Sequence, residues 1–332
     1  MKAIKDKFGR VHDYARISLI DRCNLNCIYC NPPGAENTSG RNKYLLTSGE
    51  ISRLAGILVT KLGVRKIRLT GGEPLIRKDF PEILRGFKSL KDRVNFKLGI
   101  TTNGTGLGRN LMLLKESGVD LLNISLDTLK PERFSKITGR NLFFGTMNSI
   151  MKALEFDFER VKINTVIMKG INDDELTDFI RFFRDTNVNI RFIEYMPFRD
   201  NGWNDNAFMS SNEMSDKISS HFTLVKSESE GKIAEDFKIK DIKCTVSFIS
   251  PVSNHFCGSC NRLRITSDGR IKSCLFAGNS GKSLKDMLSE TNIPDEEICV
   301  YIEESIVDKN YVHPEINELI TLSKNNMLSI GG

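Results

Sequence analysis

The stretch Ala15-Arg-Ile-Ser-Leu-Ile20-Asp-Arg-Cys23-Asn-Leu-Asn-Cys27-Ile-Tyr-Cys30 decides how the rest of the chain is read. Its first six residues alternate in polarity and read as a β-strand. Three cysteines then fall within eight residues, spaced x3 and x2. Three thiols thus share one short loop at a strand end. Thiolates that close can jointly hold a metal ion or an iron–sulfur cluster. Three local ligands on a cubane leave one iron open to a small molecule, as at catalytic metals. A disulfide with a spare thiol is the plainer reading, but loops this short are awkward to close. Zinc would want a fourth ligand, and no Cys or His follows Cys30 within twenty residues.

Outward from this loop the chain alternates between strands and helices. Thr47-Ser-Gly-Glu50 is a capping-box pattern. It opens a helix to about Leu62, with Ile51, Leu54, Ile57, Leu58 and Leu62 on one face. The strand Lys66–Thr70 ends in Gly71-Gly-Glu-Pro74, where paired glycines permit unusual backbone angles or the close approach of a ligand. An ordinary turn is the plain alternative. Phe96–Thr102 reads as the third strand, and the glycines after it do not have dinucleotide-fingerprint spacing. Leu121–Leu126 is the fourth, followed by a helix over Gly145–Phe156. Val161–Ile167 is the fifth, after which Asn172 is expected to cap a helix, with Glu175 at the third position. Ile190–Tyr195 is the sixth, followed by Met196-Pro197.

Six strand–helix units argue for parallel strands with crossover helices. Six are too few for an eightfold barrel, so the expected class is α/β, a partial (β/α)6 TIM-like barrel. Ligands in such barrels gather at the carboxyl ends of the strands. Cys23, Gly72, Thr101, Ser125 and Met196 all fall near those ends.

The pattern changes after Pro197. Arg199 to Ala207 is polar and reads as a linker, Ser211 to Phe222 as a helix, and Thr245–Ile249 as part of a small antiparallel piece. The expected division is residues 1–200 and 201–332, the second a small α+β extension closing the barrel mouth. A second cysteine set lies here, Cys257-Gly-Ser-Cys260 and then Cys274 after x13. Zinc is a serious rival at this set, although a zinc ribbon should show a second close pair and Cys274 stands alone. Cys244 and Cys299 have no obvious partner and are read as structural, and His255 as a surface or packing residue. Arg262 and Arg264 are two apart on a strand and share a face. Beside a cluster they make an anion or purine site; elsewhere they would be two solvated arginines. Asp268-Gly269 reads as a tight turn back to Cys274. Gly281-Lys282-Ser283 resembles the end of a phosphate-binding loop, but the first glycine of that motif is missing and no strand precedes it.

The chain has 332 residues, 39% of them apolar and 27% charged, which suits a soluble globular protein with a sizeable core. A net charge of +6 suits a polyphosphate or nucleic-acid partner, or solubility alone. Eight cysteines without an export signal point to a reducing compartment and metal use. No apolar run approaches membrane-spanning length, and the expected location is cytoplasmic.

The Cys-x3-Cys-x2-Cys loop, with an aromatic before its last cysteine, resembles the radical S-adenosylmethionine (SAM) superfamily, whose fold is the partial barrel. Further motifs are similar to the GTP 3′,8-cyclase family of molybdenum cofactor biosynthesis. They are Arg68-Leu-Thr-Gly-Gly-Glu-Pro74, Thr101-Thr-Asn-Gly104, Asn123-x-Ser-Leu-Asp127, Arg191-Phe-Ile-Glu194, Phe256-Cys-x2-Cys260-Asn-Arg-x-Arg264, Cys274-Leu-Phe276 and a terminal Gly331-Gly332. Ile20 and Asn31 depart from the usual threonine and methionine, and the loop Pro33 to Lys43 is atypical; no ligand is removed.

The resemblance implies two 4Fe–4S clusters, one on Cys23, Cys27 and Cys30, the other on Cys257, Cys260 and Cys274. It implies SAM contacts from Tyr29, Gly72, Ser125 and Met196. Around GTP it implies Arg16, Lys66, Arg68, Thr101, Lys162, Arg191, Arg262 and Arg264, with Arg262, Arg264, Gly331 and Gly332 assisting catalysis. A 5′-deoxyadenosyl radical would take the ribose 3′ hydrogen of GTP, and the carbon radical would add to carbon 8 of guanine. The product would be 3′,8-cyclo-7,8-dihydro-GTP. An electron donor and the next pathway enzyme, cyclic pyranopterin monophosphate synthase, are the implied partners; nucleic acid and membrane are not, and a homodimer is compatible. The rival readings are another radical SAM enzyme with an auxiliary cluster, acting on a peptide, and a zinc protein binding nucleic acid.

Overall fold

The computed structural model describes residues 2–31, 44–198, 200–227, 233–276, 283–290, 292–316 and 318–319. In chain order the first half runs β1 (Tyr14–Ser18), α1 (Ser48–Thr60), β2 (Lys66–Thr70), α2 (Phe80–Lys91), β3 (Lys97–Thr102) and α3 (Leu111–Glu116). It continues with β4 (Leu121–Ser125), α4 (Pro131–Thr138), α5 (Phe143–Glu155), β5 (Arg160–Ile167), α6 (Leu176–Phe183) and β6 (Asn189–Glu194). The second half adds α7 (Ser211–Ser219), β7 (Leu224–Lys226), β8 (Glu235–Ile239), β9 (Thr245–Ile249), β10 (Arg262–Ile265), β11 (Ile271–Lys272), α8 (Leu284–Ser289) and α9 (Asp295–Val307).

All six expected strands form, and β1 to β6 pair in order and in parallel. The sheet is the partial TIM-barrel-like α/β arrangement. It does not stop there. β10 pairs in parallel with the outer edge of β1, and β9 in parallel with the outer edge of β6. The complete order is β11-β10-β1-β2-β3-β4-β5-β6-β9-β8-β7. Thr245–Ile249 is therefore antiparallel only toward β8; toward β6 it extends the parallel run. Sequence patterning cannot foresee this, because strand order is a long-range choice.

Local chemistry accounts for the outer layer. Thr47 and Glu50 form the expected capping box at α1. The apolar stripe of α2, Phe80, Ile83, Leu84, Phe87 and Leu90, is buried in the main core at helical spacing. One cap differs. Asn172 does not cap α6, which begins at Leu176. Its side chain is fully buried, accepts from Met168 N at 2.8 Å, and donates to the carbonyls of Asp127 at 2.7 Å and Val166 at 2.8 Å. It ties the carboxyl end of β4 to that of β5. The polar stretch after Pro197 is largely exposed but has one buried anchor. Asn201 is buried and donates to the carbonyls of Tyr29 at 3.1 Å and Met196 at 2.9 Å. This stretch braces the first cysteine loop.

The period of two along each strand creates the site. Ile163 and Ile167 of β5 are buried in the core, and their alternates Lys162 and Asn164 face a cavity inside the sheet. Ile67 and Leu69 of β2 alternate with Lys66 and Arg68, and Leu263 and Ile265 of β10 with Arg262 and Arg264, in the same way. The interior of a full barrel is normally filled with branched apolar side chains. Here the inward positions are cations and amides, so the inside is a chamber.

Candidate active site

The chamber has a volume of about 460 Å³, within the range of small-molecule sites. Cys23, Cys27 and Cys30 line one end of it, together with Tyr29, Gly72, Ser125 and Met196. Arg16, Lys66, Arg68, Thr101, Lys162, Arg191, Arg262 and Arg264 line the same chamber. Cys257, Cys260 and Cys274 line a smaller pocket of about 50 Å³, which shares Pro251, Phe256, Arg262, Arg264 and Leu275 with the chamber. The second triad thus sits behind the two arginines. Gly331 and Gly332 lie outside the described residues, as does the loop Pro33 to Lys43.

The first loop is seated on glycine. Gly72 N donates to Ile20 O at 2.7 Å, and Glu73 N to Arg22 O at 2.8 Å. A Cβ on Gly72 would fall 2.0 Å from the carbonyl oxygen of Arg22. Only glycine lets the β2 turn pack this closely on the cysteine loop. Gly71 has φ 150°, and a Cβ there would lie 2.5 Å from Ile20 O. Cys23 Sγ accepts from Leu25 N at 3.4 Å and Asn103 Nδ2 at 3.5 Å. Tyr29 donates to Asp127 at 2.8 Å.

Two buried acids stand near this end, Asp127 in the chamber lining and Glu73 next to Gly72 in the chain. Burial lifts the Glu73 carboxyl to about 7, although Asn103 N, Thr102 Oγ1 and Leu75 N all donate to it. Burial likewise lifts Asp127 to about 6. Burial pushes the Cys30 thiol up to about 12, with Cys23 and Asp127 adding repulsion. Burial raises Cys27 too, with Asp127, Cys30 and Cys23 adding repulsion.

The middle is cationic by register. Arg16 stands opposite Arg264 on one side and Arg68 on the other, a row of three guanidiniums on adjacent strands. Tyr14, one step earlier, stands between Arg262 and Lys66. Room for the row comes from Gly99, where a Cβ would lie 3.0 Å from the Arg68 guanidinium. Arg68 donates to Tyr14 Oη at 2.8 Å and Ile100 O at 2.9 Å. Burial would raise the Tyr14 phenol, but Arg68, Arg16, Lys66 and Arg262 outweigh it and draw it down to about 6. Burial, with Arg191 and Arg160 adding repulsion, lowers Lys162 to about 7. Buried polar atoms without a protein partner include Thr101 Oγ1, Asn123 Oδ1, Asn164 Oδ1, Arg191 Nε and Arg262 Nε. Each lines the chamber and suits a polar guest.

The second triad differs in its surroundings. Burial would raise the Cys260 thiol, but Lys309 and Arg262 prevail and hold it below its usual value. Lys309 Nζ lies 3.4 Å from Cys260 Sγ. Lys272 is fully buried nearby, and burial lowers it to about 8. The segment before the triad is fixed by the buried Glu194, which accepts from Val252 N at 2.9 Å and Ser253 N at 3.0 Å. Sequence reasoning missed Tyr14, Asn164, Lys272 and Lys309. The first three could have been found by extending the inward alternation of each strand; Lys309, lying past α9, carries no local signal.

The donor sets fit clusters. All eight cysteines are free, and both triads are partly exposed to their cavities. Among the described residues no three His, Cys, Asp or Glu side chains converge as a single metal ion would need. The irons of a cubane occupy separate corners, so its ligands need not meet at one point.

A family model described as "Radical SAM superfamily" matches residues 17–183, and one described as "Molybdenum Cofactor Synthesis C" matches residues 188–314. The chain belongs to the radical SAM superfamily. It is 45% identical to "GTP 3′,8-cyclase, mitochondrial" of Arabidopsis thaliana, over 98% of this chain and 83% of that protein. It is 44% identical to "GTP 3′,8-cyclase" of Listeria monocytogenes, over 83% of each. Within the superfamily it is a member of the GTP 3′,8-cyclase family. It also matches human "Molybdenum cofactor biosynthesis protein 1" at 42% identity, over 98% of this chain but only 51% of that protein, so the chain spans about half its length. Among solved structures, Streptococcus suis SuiB bound to S-adenosylmethionine aligns with a TM-score of 0.61 at 15% identity, over 86% of this chain and 67% of that one. That likeness concerns the fold alone. Among the described residues no helix is long and apolar enough to cross a membrane.

Proposed function

We propose that this radical SAM enzyme converts GTP to 3′,8-cyclo-7,8-dihydro-GTP, the first step of molybdenum cofactor biosynthesis. The observation that carries this reading is the in-register row Arg264–Arg16–Arg68, lying between two triads of free thiols. Like charges on adjacent strands repel. A triphosphate converts that repulsion into charge-assisted hydrogen bonds.

In this reading Cys23, Cys27 and Cys30 hold one 4Fe–4S cluster, and Cys257, Cys260 and Cys274 a second. When bound, the clusters and SAM supply the electron and the 5′-deoxyadenosyl radical that takes the ribose 3′ hydrogen. The chain supplies position. Tyr29, Gly72, Ser125 and Met196 orient SAM at the acidic end. Arg16, Lys66, Arg68, Lys162, Arg191 and Thr101 hold the phosphates and ribose between the two ends. Arg262 and Arg264 stand at the boundary with the second pocket, where they steady the guanine. We extend the proposal to a catalytic role for Gly331 and Gly332, and to a C-terminal region, residues 201–332, that closes the mouth of the 1–200 barrel. An electron donor and cyclic pyranopterin monophosphate synthase, taking the product onward, complete the set in a reducing cytoplasm.

The test is iron and sulfide counting on anaerobic protein, then incubation with SAM, reductant and GTP. About eight irons per chain and equal yields of 5′-deoxyadenosine and cyclised nucleotide are expected. Colourless, iron-free protein would sink the cluster reading. 5′-Deoxyadenosine formed without any change in GTP would sink the substrate. Deleting Gly331 and Gly332 should spare the iron and stop turnover.

A further inference from the structure

The N-terminal segment ahead of β1 has no part in the chemistry described so far, yet it is built with care. Asp6 Oδ2 accepts from Arg10 Nε at 2.5 Å and lies 3.1 Å from His12 Nε2, with Asp6 and His12 buried. The Arg10 guanidinium so oriented donates to Cys257 O at 2.7 Å, Asn310 O at 2.8 Å and Tyr311 O at 3.0 Å. One side chain thereby fastens the second cysteine turn to the segment that follows α9. That segment delivers Lys309, which is only 4% exposed. Its ammonium donates to Arg262 O at 3.0 Å and reaches Cys260 Sγ at 3.4 Å. A buried ammonium is costly unless it meets an anion, and the group it meets is the Cys260 sulfur, which is a thiolate whenever it ligates a cluster.

Building on the cluster reading above, we propose that Lys309 is a positioning residue that donates to the Cys260 sulfur and raises the reduction potential of the second cluster. Hydrogen bonds and charge at the ligating sulfur favour the reduced, more negative cluster. Asp6 and Arg10 hold the segment that carries it.

The test is an EPR-monitored reductive titration of the anaerobic holoenzyme, with SAM added to mark the first cluster. Lys309→Met keeps the length and removes the charge; Lys309→Arg keeps both charge and donor; Lys309→Gln keeps a donor alone. In Lys309→Met the second cluster should become about tenfold harder to reduce, about 59 mV lower for one electron. Lys309→Arg should restore it, and Lys309→Gln should fall between. If Lys309→Met loses the second cluster's iron, the Gln and Arg variants carry the comparison. An unchanged potential in the neutral variants overturns the proposal, and so does loss of the second cluster in all three. Wild-type protein with only one cluster would instead defeat the cluster reading itself.

Discussion

The two cysteine loops offer the same number of thiols and opposite surroundings. The first is closed on itself: Cys30 N donates to Cys27 O at 2.9 Å, and Asn26 N and Ile28 N donate to the end of α4, each at 2.9 Å. The second is assembled from distant pieces. Cys257 and Cys260 share a turn, Cys274 comes from beyond β11, and segments from both ends of the chain close round them. Beside the first loop stand Glu73 and Asp127; beside the second stand Arg262, Arg264 and Lys309. Burial raises all three thiols of the first triad, and Cys257 in the second, while Lys309 and Arg262 hold Cys260 alone below its usual value. A negative field makes a cluster harder to reduce and a stronger donor once reduced, while a positive field holds the electron. On the proposed cluster reading, the first end would give up an electron more readily and the second hold it, with the cationic chamber between.

The largest effect expected is from the ligands. Cys274→Ser should halve the iron and abolish GTP conversion while leaving the first cluster in place; Cys27→Ser should do the converse. Full iron in either variant would break the comparison. Next is Gly72→Ala. Its Cβ would meet backbone at 2.0 Å, so the first loop must shift. A displacement of that order should cost roughly 10²-fold in kcat, with the second cluster's EPR signal unchanged. Equal loss of both clusters would show that the loops are not independent. Arg264→Met should weaken GTP binding by about 2 kcal/mol, roughly thirtyfold in Kd, the worth of one charge-assisted hydrogen bond. The same change relieves the guanidinium row, so the Tm of the GTP-free protein should rise by a few degrees. A fall in Tm would show that the row supports the fold.

The smallest effect is on protons. Tyr14 at about 6 and Lys162 at about 7 are both largely deprotonated at pH 8. A triphosphate placed beside them raises both values, so binding takes up protons, and affinity should fall as pH climbs from 7 to 9. Calorimetry in buffers of different ionisation enthalpy reads the uptake. Proton release would place the anion elsewhere. For the free protein, Tyr14 is depressed below its unfolded value near 10. Its ionisation therefore contributes stability that is complete above 10 and lost as pH falls through about 6.

Much of this was legible in the chain because it is local. Strand ends, the capping box and the cysteine spacings are set by neighbours a few residues apart, and period-two alternation predicted that Arg262 and Arg264 share a face. What stayed hidden depends on long-range pairing. Nothing near Thr245 tells that it lies beside β6, and nothing near Arg262 tells that it lies beside Tyr14. Asn172 looked like a cap because Asn before a helix usually is one, yet here three buried backbone groups claim it. Lys309 was invisible, since its meaning lies wholly in the sulfur it meets.

The pairing of β10 with β1 also bears on how the chain is made. The first strand leaves the ribosome early, but the neighbour that covers its outer edge arrives only with residues 262–265. Until then a nascent chain carries an open parallel edge at β1, and a second at β6 until β9 emerges. Bare edges invite pairing with other chains. Cells making this protein in haste should therefore lose more of it to aggregates than its finished stability would suggest, and slower translation or chaperone supply should recover it.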